Sequence, residues 1–305
     1  MQKKAFNLYS THLKQSFGGR VHKISIDAGF GCPNRKGGRN TDGCIFCGPG
    51  GSGSVGIERG ESIATQIENA KEVMRRKYRA KWFIAYFQPF SNTFAPVSKL
   101  RDYYDQALAV EDVVGLAIGT RPDCVPEPVM DLLGEYHQKT DLWLELGLQS
   151  IYDRTLDYLQ RGHDYACFLD AYQRAKQRNL KVCVHVILGL PGESHADMMA
   201  TAAEIARLNV DGIKIHLLHI LEGTTLGEYY KRGEVQMLTM DEYVETVVDF
   251  IERLPPQTLI HRLTGDGPRK ALLAPLWSIN KWEVLNAIDA ELERRNSKQG
   301  DKYAR

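Results

Sequence analysis

The sequence predicts an α/β fold, a partial, open (β/α)6 TIM-like barrel with N-terminal and C-terminal extensions. Three observations predict it. Six short apolar, β-branched runs alternate with six amphipathic stretches over about 230 residues, the pattern of parallel β/α units. Crossovers between parallel strands are right-handed, so successive units roll toward a barrel. Six units fall short of the eight that close one. A doubly wound open sheet is the second choice. In both architectures the working face lies at the strand C-termini.

Residues 1–20 are polar and basic and read as an extension. The barrel is assigned to 21–235. "HKISIDAGF" (22–30) is its first strand, followed by a loop whose Pro33, Gly37, Gly38 and Gly43 disfavour an extended helix. "ESIATQIENAKEVMRRKY" (61–78) carries Ile63, Ile67, Ala70, Val73 and Met74 at helical spacing. "KWFIAYFQ" (81–88) is the second strand, and 97–110 a helix entered from Pro96. Strand 113–120 precedes helix 127–139, and strand 142–150 precedes a short helix near 152–160 and a longer one at 166–179. Strand 181–190 leads to helix 195–209, and 212–220 is the sixth strand. The extension 236–305 reads as a polar helix near 239–254, a strand at 258–263, a helix near 279–295 and a polar tail expected to fray.

Hydrophobic residues make up 43% and charged residues 25%, a globular composition that can bury a core without cross-links. Six cysteines in 305 residues is far from disulfide-scaffold density. No apolar run approaches membrane-spanning length, and residues 1–22 lack the apolar centre of a secretory leader. The expected setting is a reducing cytoplasm without membrane contact. Net charge is +1, so global charge points to no polyanion partner. Two basic clusters stand out. Residues 1–40 hold eight Lys or Arg against Asp27, Arg35, Lys36 and Arg39 among them. Residues 71–81 hold six against Glu72, including Arg75, Arg76 and Arg79. A solvated face explains either cluster alone; two of them flanking one site raise the case for RNA or phosphate contact.

Three of the six cysteines, Cys32, Cys44 and Cys47, lie in "CPNRKGGRNTDGCIFC" (32–47), just past the first strand and so at the working face. A structural zinc site needs four closed ligands, and His22 is a weak fourth. A redox pair would use Cys44 and Cys47 and leave Cys32 unexplained. An iron–sulfur cluster bound by three thiolates would keep one iron open, and Ile45 and Phe46 would screen it from water. Spacing alone leaves zinc and iron–sulfur open. The run "GPGGSGS" (48–54) lacks the G-K-[ST] ending of a phosphate loop and reads as flexibility, or a lid, beside the cysteines.

These residues resemble the radical S-adenosylmethionine (SAM) superfamily. Its common motif is C-x3-C-x2-C; the first gap here is eleven residues. That departure resembles the Elongator catalytic-subunit group and, more closely, the YtqA/YhcC-like family, whose "GF-CPNR-(G-rich)-GC-FC" appears here as "GFGCPNRKGGRNTDGCIFC". The resemblance continues through "YFQPFSNTFAP" (86–96), "GTRPDCV" (119–125), "LELGLQS" (144–150), "LQRGH" (159–163), "VILGLPGES" (186–194), "LHILEGTTL" (218–226), "LTGDGP" (263–268) and "APLWSINKWEVLNAI" (274–288). It implies a barrel of radical SAM type. Cys32, Cys44 and Cys47 would hold a [4Fe-4S] cluster whose fourth iron takes SAM, and reductive cleavage would release a 5′-deoxyadenosyl radical.

By the same resemblance Gly189 and Gly192 approach the SAM adenine, Gln149 and His185 the ribose, and Arg161 the carboxylate; Gln88 follows the second strand and is a further SAM candidate. The plainer readings are a strand-to-helix turn for the glycines, a core histidine for His185 and a surface ion pair for Arg161. Cys124, His216 and His219 could face substrate, although burial as a small apolar group suits Cys124 as well. Arg262, Asp266, Arg269 and Lys281 could close the barrel end. Three functions follow. The first is a radical SAM enzyme acting on tRNA at a wobble-uridine C5 side chain, with a flavodoxin- or ferredoxin-like electron donor. The second acts on a small molecule, as in anaerobic porphyrinogen oxidation. The third is a non-catalytic, zinc-stabilised RNA-binding module.

Overall fold

The computed structural model describes residues 4–35, 43–48, 50–51, 60–265, 267 and 269–303. Lys36, Arg39, Asp266 and much of the run at 48–54 lie outside the described residues. In chain order the strands are β1 (Val21–Ile26), β2 (Trp82–Phe87), β3 (Val113–Thr120), β4 (Asp141–Gln149), β5 (Lys181–Leu188), β6 (Gly212–Leu217), β7 (Ile220–Leu221), β8 (Leu259–Arg262) and β9 (Leu272–Ala274). The first six and β8 form one parallel sheet in the order β1-β2-β3-β4-β5-β6-β8, and β7 pairs antiparallel with β9. The helices are α1 (Tyr9–Phe17), α2 (Ile63–Tyr78), α3 (Val97–Leu108), α4 (Glu127–His137), α5 (Asp153–Tyr158), α6 (Tyr165–Gln177), α7 (His195–Leu208), α8 (Thr225–Lys231), α9 (Met240–Arg253) and α10 (Lys281–Arg294).

The expected half-barrel is present, with a seventh strand. The run at 258–263, read as part of an appended extension, joins the sheet beside β6, so the sheet crosses residue 235. Strand parity sorts the two faces. On β4, Leu142, Leu144, Leu146 and Leu148 are fully buried beneath the helices, while Trp143, Glu145 and Gly147 face the interior. The outer layer continues through Ile67, Leu100, Tyr104, Leu133 and Phe168. Burying each such side chain contributes about 1.5–3 kcal/mol. Side-chain caps set the helix starts: Ser62 for α2, Asp164 for α6, and capping boxes Ser194–Asp197 for α7 and Thr239–Glu242 for α9.

Two features depart from the sequence reading. Helix α1, unmarked by periodicity, lies between the sheet edges. Tyr9 stacks on His261 of β8 at 3.7 Å and meets Trp143 edge-on at 5.2 Å, and Lys23 of β1 sits 4.9 Å over its ring. The tail does not fray through residue 303. Gln299 is buried; its Nε2 donates to Pro255 O (2.7 Å) and Thr258 O (2.9 Å), and its backbone N–H to Ala5 O (2.9 Å). Polar contacts to distant backbone anchor it, which no local apolar pattern announces. Among the described residues no helix is long and apolar enough to cross a membrane.

Candidate active site

The chain leaves β1 through a tight turn, where Gly29 takes φ +73° and its N–H donates to Asp27 Oδ1 (2.9 Å), and enters the cysteine loop. Cys44 is buried, Cys32 and Cys47 half-buried, and none forms a disulfide. The Ile45 N–H donates to Leu159 O (3.1 Å), and Ile45 O accepts from the Leu226 N–H (2.9 Å). Ile45 packs with Leu159, Ile187, Leu218 and Leu226, and Phe46 against that cluster, so the expected apolar flank is present. Guanidiniums contact two of the three sulfurs. Arg161 donates to Cys44 Sγ (3.3 Å) and Gly147 O (2.9 Å). Arg35 donates to Cys47 Sγ (3.2 Å) and Gly48 O (2.8 Å). Asn34 Nδ2 reaches Cys44 Sγ at 3.4 Å. Arg121 grips Asp123 with two hydrogen bonds and donates to Arg161 O. Burial pushes the Cys47 thiol up, and the Arg35 hydrogen bond opposes it.

This donor set fits an anionic group held by thiolates. It does not fit a closed zinc site. Four thiolates about 2.3 Å from one zinc lie about 3.8 Å apart. Among the described residues the one set of three or more His, Cys, Asp and Glu ligand atoms all within 4.8 Å of each other is Glu145, Cys183 and His261, so at least one pair of the three sulfurs stands farther apart than that. His22, the weak fourth ligand, starts β1 at the opposite end of the strand and stacks on Tyr78 at 4.8 Å. The Glu145 set is a poor cation site too, because two lysines occupy its carboxylate.

The other expected positions divide. Arg161 is buried beside Cys44, not in a surface ion pair. Gln149 takes φ +78°, and its side chain and that of Arg161 fold over Gly147, where a Cβ would stand 2.9 Å from Gln149 Nε2. Gly189 (φ +78°) and Gly192 (φ +80°) form the turn into α7. Gln88 Nε2 donates to Ser25 Oγ (2.6 Å) at the end of β2. Cys124 is buried, its thiol pushed up to about 12 by burial and then by Asp123. His219 Nε2 lies 3.2 Å from Ser278 Oγ.

Two expectations about basic residues are corrected. Arg35, read as an RNA contact, is buried in the cysteine site, because the loop folds it back over Cys47. Arg75, Arg76 and Arg79 end α2 at the N-terminal rim of the sheet: Arg79 caps the helix three residues before β2, and Arg75 pairs with Asp112 just before β3. They do not flank the cysteine loop, because α2 carries the chain back from the working face.

The interior below the mouth holds a charge layer that motif reading missed. Glu145 is fully buried and accepts hydrogen bonds from Lys23 Nζ (2.6 Å), Lys214 Nζ and His185 Nε2 (2.9 Å). Lys214 also donates to Tyr86 Oη (3.0 Å). Burial alone would raise the Glu145 carboxyl; Lys214, Lys23 and His185 hold it well below its ordinary value. Burial lowers Lys214 to about 8 against the pull of Glu145, with Lys23 and Arg262 adding to the fall. Burial and Lys214 lower His185 to about 4. Burial, then His185 and Arg262, lower His216, whose Nε2 is buried without a partner. Burial first, and the excess of positive over negative charge second, keep the histidines neutral. His185, expected at the SAM ribose, is held in this floor. Parity was the available signal: Lys23, Glu145 and Lys214 are lone charges in the middle of apolar strands, all facing inward.

Comparison with known proteins fits this geometry. The model described as "Radical SAM superfamily" matches residues 28–205, and the "Radical_SAM C-terminal domain" matches 210–294. The chain belongs to the radical SAM superfamily. Within it the chain falls in the YtqA/YhcC-like family, being 45% identical to the uncharacterised protein YtqA of Bacillus subtilis over 99% of this chain and 94% of that one. A tRNA uridine(34) acetyltransferase of Methanocaldococcus jannaschii is 30% identical over 56% of this chain and 32% of that one. The solved structure of the archaeal Methanocaldococcus infernus Elp3, with an N-terminal deletion, superposes with a TM-score of 0.70 at 19% identity, covering 92% of this chain and 64% of that one. Radical SAM membership implies SAM and a [4Fe-4S] cluster as cofactors.

Proposed function

We propose that this radical SAM enzyme binds its cluster through Cys32, Cys44 and Cys47 and acts on the C5 side chain of a tRNA wobble uridine. When bound, the cluster and SAM together supply a 5′-deoxyadenosyl radical able to remove hydrogen from an unactivated carbon. The observation that carries the reading is the cysteine loop at the mouth, with Arg161 and Arg35 donating to two of its sulfurs. These guanidiniums stabilise anionic sulfur, and Ile45 and Phe46 keep water from it. Arg161, aligned over Gly147, is oriented to receive the SAM carboxylate, and Gln149 beside it to meet the ribose. Gly189 and Gly192 open the backbone turn for the adenine, and Gln88 lines the end of β2. The neutral His216 and the Lys214–Glu145 pair hold protons in the floor beneath the substrate.

The tRNA part is supported by the similarity to a protein named tRNA uridine(34) acetyltransferase. A target base would leave its stack to enter the mouth. Electrons would come from a small flavodoxin- or ferredoxin-like protein in a reducing cytoplasm. Anaerobic reconstitution tests the chemistry: we expect about four irons per chain and SAM cleavage under reduction, whereas one zinc and no cleavage would refute it. Mass spectrometry of tRNA nucleosides from a strain lacking the gene tests the substrate. An unchanged profile across growth conditions would overturn the tRNA assignment and leave the radical chemistry standing.

A further inference from the structure

The segment "APLWSINKWEVLNAI" takes no part in the cysteine site, yet it presents the most exposed tryptophan of the described residues. Leu276 (63% exposed), Ile279 (38%) and Trp282 (75%) project from seven consecutive residues. Their backbone is fixed from beneath. Ser278 is buried and its Oγ donates to Pro275 O (2.8 Å); Trp277 Nε1 donates to Leu238 O (3.2 Å), and its ring packs on Tyr243 at 5.6 Å. The segment borders the mouth. It follows β9, which pairs with β7 beyond the end of β6, and Ser278 Oγ meets His219 of the β6–β7 turn at 3.2 Å. Phe94, after β2, and Tyr158, in α5 after β4, are also exposed, in segments that follow the C-terminal ends of sheet strands.

The stretch of chain from 269 to 288 is basic. Arg269 and Lys270 are exposed, Arg269 reaches Ile279 O at 3.5 Å, and Lys281 adjoins Trp282. The acid within the segment is Glu283, which accepts from Asn280 Nδ2 at 3.0 Å. Residues 269–288 carry three cations and one acid, and beside an exposed indole they suit a partner with flat π faces and a negative backbone. Apolar side chains alone would fit a protein surface; the cations favour RNA.

We infer that Leu276–Trp282, with Arg269 and Lys270, is a docking surface for unpaired nucleotides of an RNA loop, Trp282 stacking on a base and the cations meeting flanking phosphates. This deepens the tRNA reading and rests on it. The test is fluorescence anisotropy of the anaerobically reconstituted full chain with an unmodified anticodon stem-loop and with a blunt duplex of the same stem. Trp282→Ala should weaken stem-loop binding about tenfold, Trp282→Phe should restore most of it, and duplex binding should not change. Arg269→Glu with Lys270→Glu should lower affinity and flatten its salt dependence. SAM cleavage without RNA should be unaffected by Trp282→Ala. Stem-loop binding by wild type that both sets of variants retain would overturn the surface and leave the tRNA reading intact. No binding by wild type would overturn both. Conversion of a dimer to a monomer by Trp282→Ala, with RNA binding unchanged, would assign the patch to self-association and overturn the inference.

Discussion

Replacing Glu145 by Gln keeps the shape of the side chain and removes the negative charge that Lys23 and Lys214 share. Breaking a buried ion pair on one side costs about 3–5 kcal/mol. The structure says where in that range to look. Burial has already brought Lys214 from 10.5 to about 8. At about 1.4 kcal/mol per pH unit, wild type bears roughly 3 kcal/mol for keeping it charged. Without Glu145 its pKa falls further, but giving up the proton at pH 7 limits that burden to roughly 5 kcal/mol. The added cost from Lys214 is therefore on the order of 1–2 kcal/mol at most. The rest falls on Lys23, which at 19% side-chain exposure is partly screened by water. We expect a loss of about 3 kcal/mol. With an m-value of about 3 kcal/mol/M, the urea midpoint should drop by about 1 M. The pH dependence has a definite sign. A lysine whose folded pKa lies below its unfolded pKa leaves the unfolded chain holding more protons, so stability rises with pH between the two values. In wild type that rise runs from about 8 to 10.5; in the variant it starts lower. The gap between the proteins should narrow by about 1 kcal/mol from pH 7 to 9. Coincident urea midpoints at pH 7, or a gap that widens with pH, would refute the counter-charge argument.

Three further outcomes are expected. Cys32→Ala, Cys44→Ala and Cys47→Ala should each lower bound iron from about four per chain to near zero after reconstitution, with circular dichroism unchanged. Arg161→Ala, losing charge-assisted hydrogen bonds worth about 1.5–3 kcal/mol, should raise the KM for SAM roughly tenfold or more and shift the visible spectrum of the reconstituted protein, whereas Arg161→Lys should recover part of both. Gln299→Ala removes buried hydrogen bonds to Pro255 and Thr258 and should lower stability by about 1–3 kcal/mol, measured as a fall in Tm; an unchanged Tm would mean the tail is not docked in solution.

The parallel strands and their helices were legible because both faces of this sheet are covered. Strands such as 113–120 read as continuous apolar runs, and the helices show their stripe. The cysteine loop was legible from spacing and neighbours. What escaped has a common cause. Tyr9 and Gln299 do their work through a ring stacked on His261 and bonds to remote carbonyls, and neither produces a local period. Arg35 counted as one more surface cation because burial inside an irregular loop is a tertiary property. Lys23, Glu145 and Lys214 come together only when a curled sheet brings strands one, four and six to a common axis.

A half-barrel leaves a sheet with two unpaired borders, an invitation to pair with other chains. At the β8 border, Leu8 forms a bridge with Ile260, whose N–H donates to Asn7 O (2.8 Å), and Gln299 clamps Ala5 in place. The segments around residues 5–8 and 299 are thus fastened to one another. During synthesis residues near position 8 must wait for those near 260 and 299, so the clasp can shut only after residue 299 has emerged. Until then the nascent sheet carries an uncovered border. Deleting residues 1–8, or replacing Gln299 by Ala, should expose that border in the folded protein and show itself as self-association before any loss of helix content.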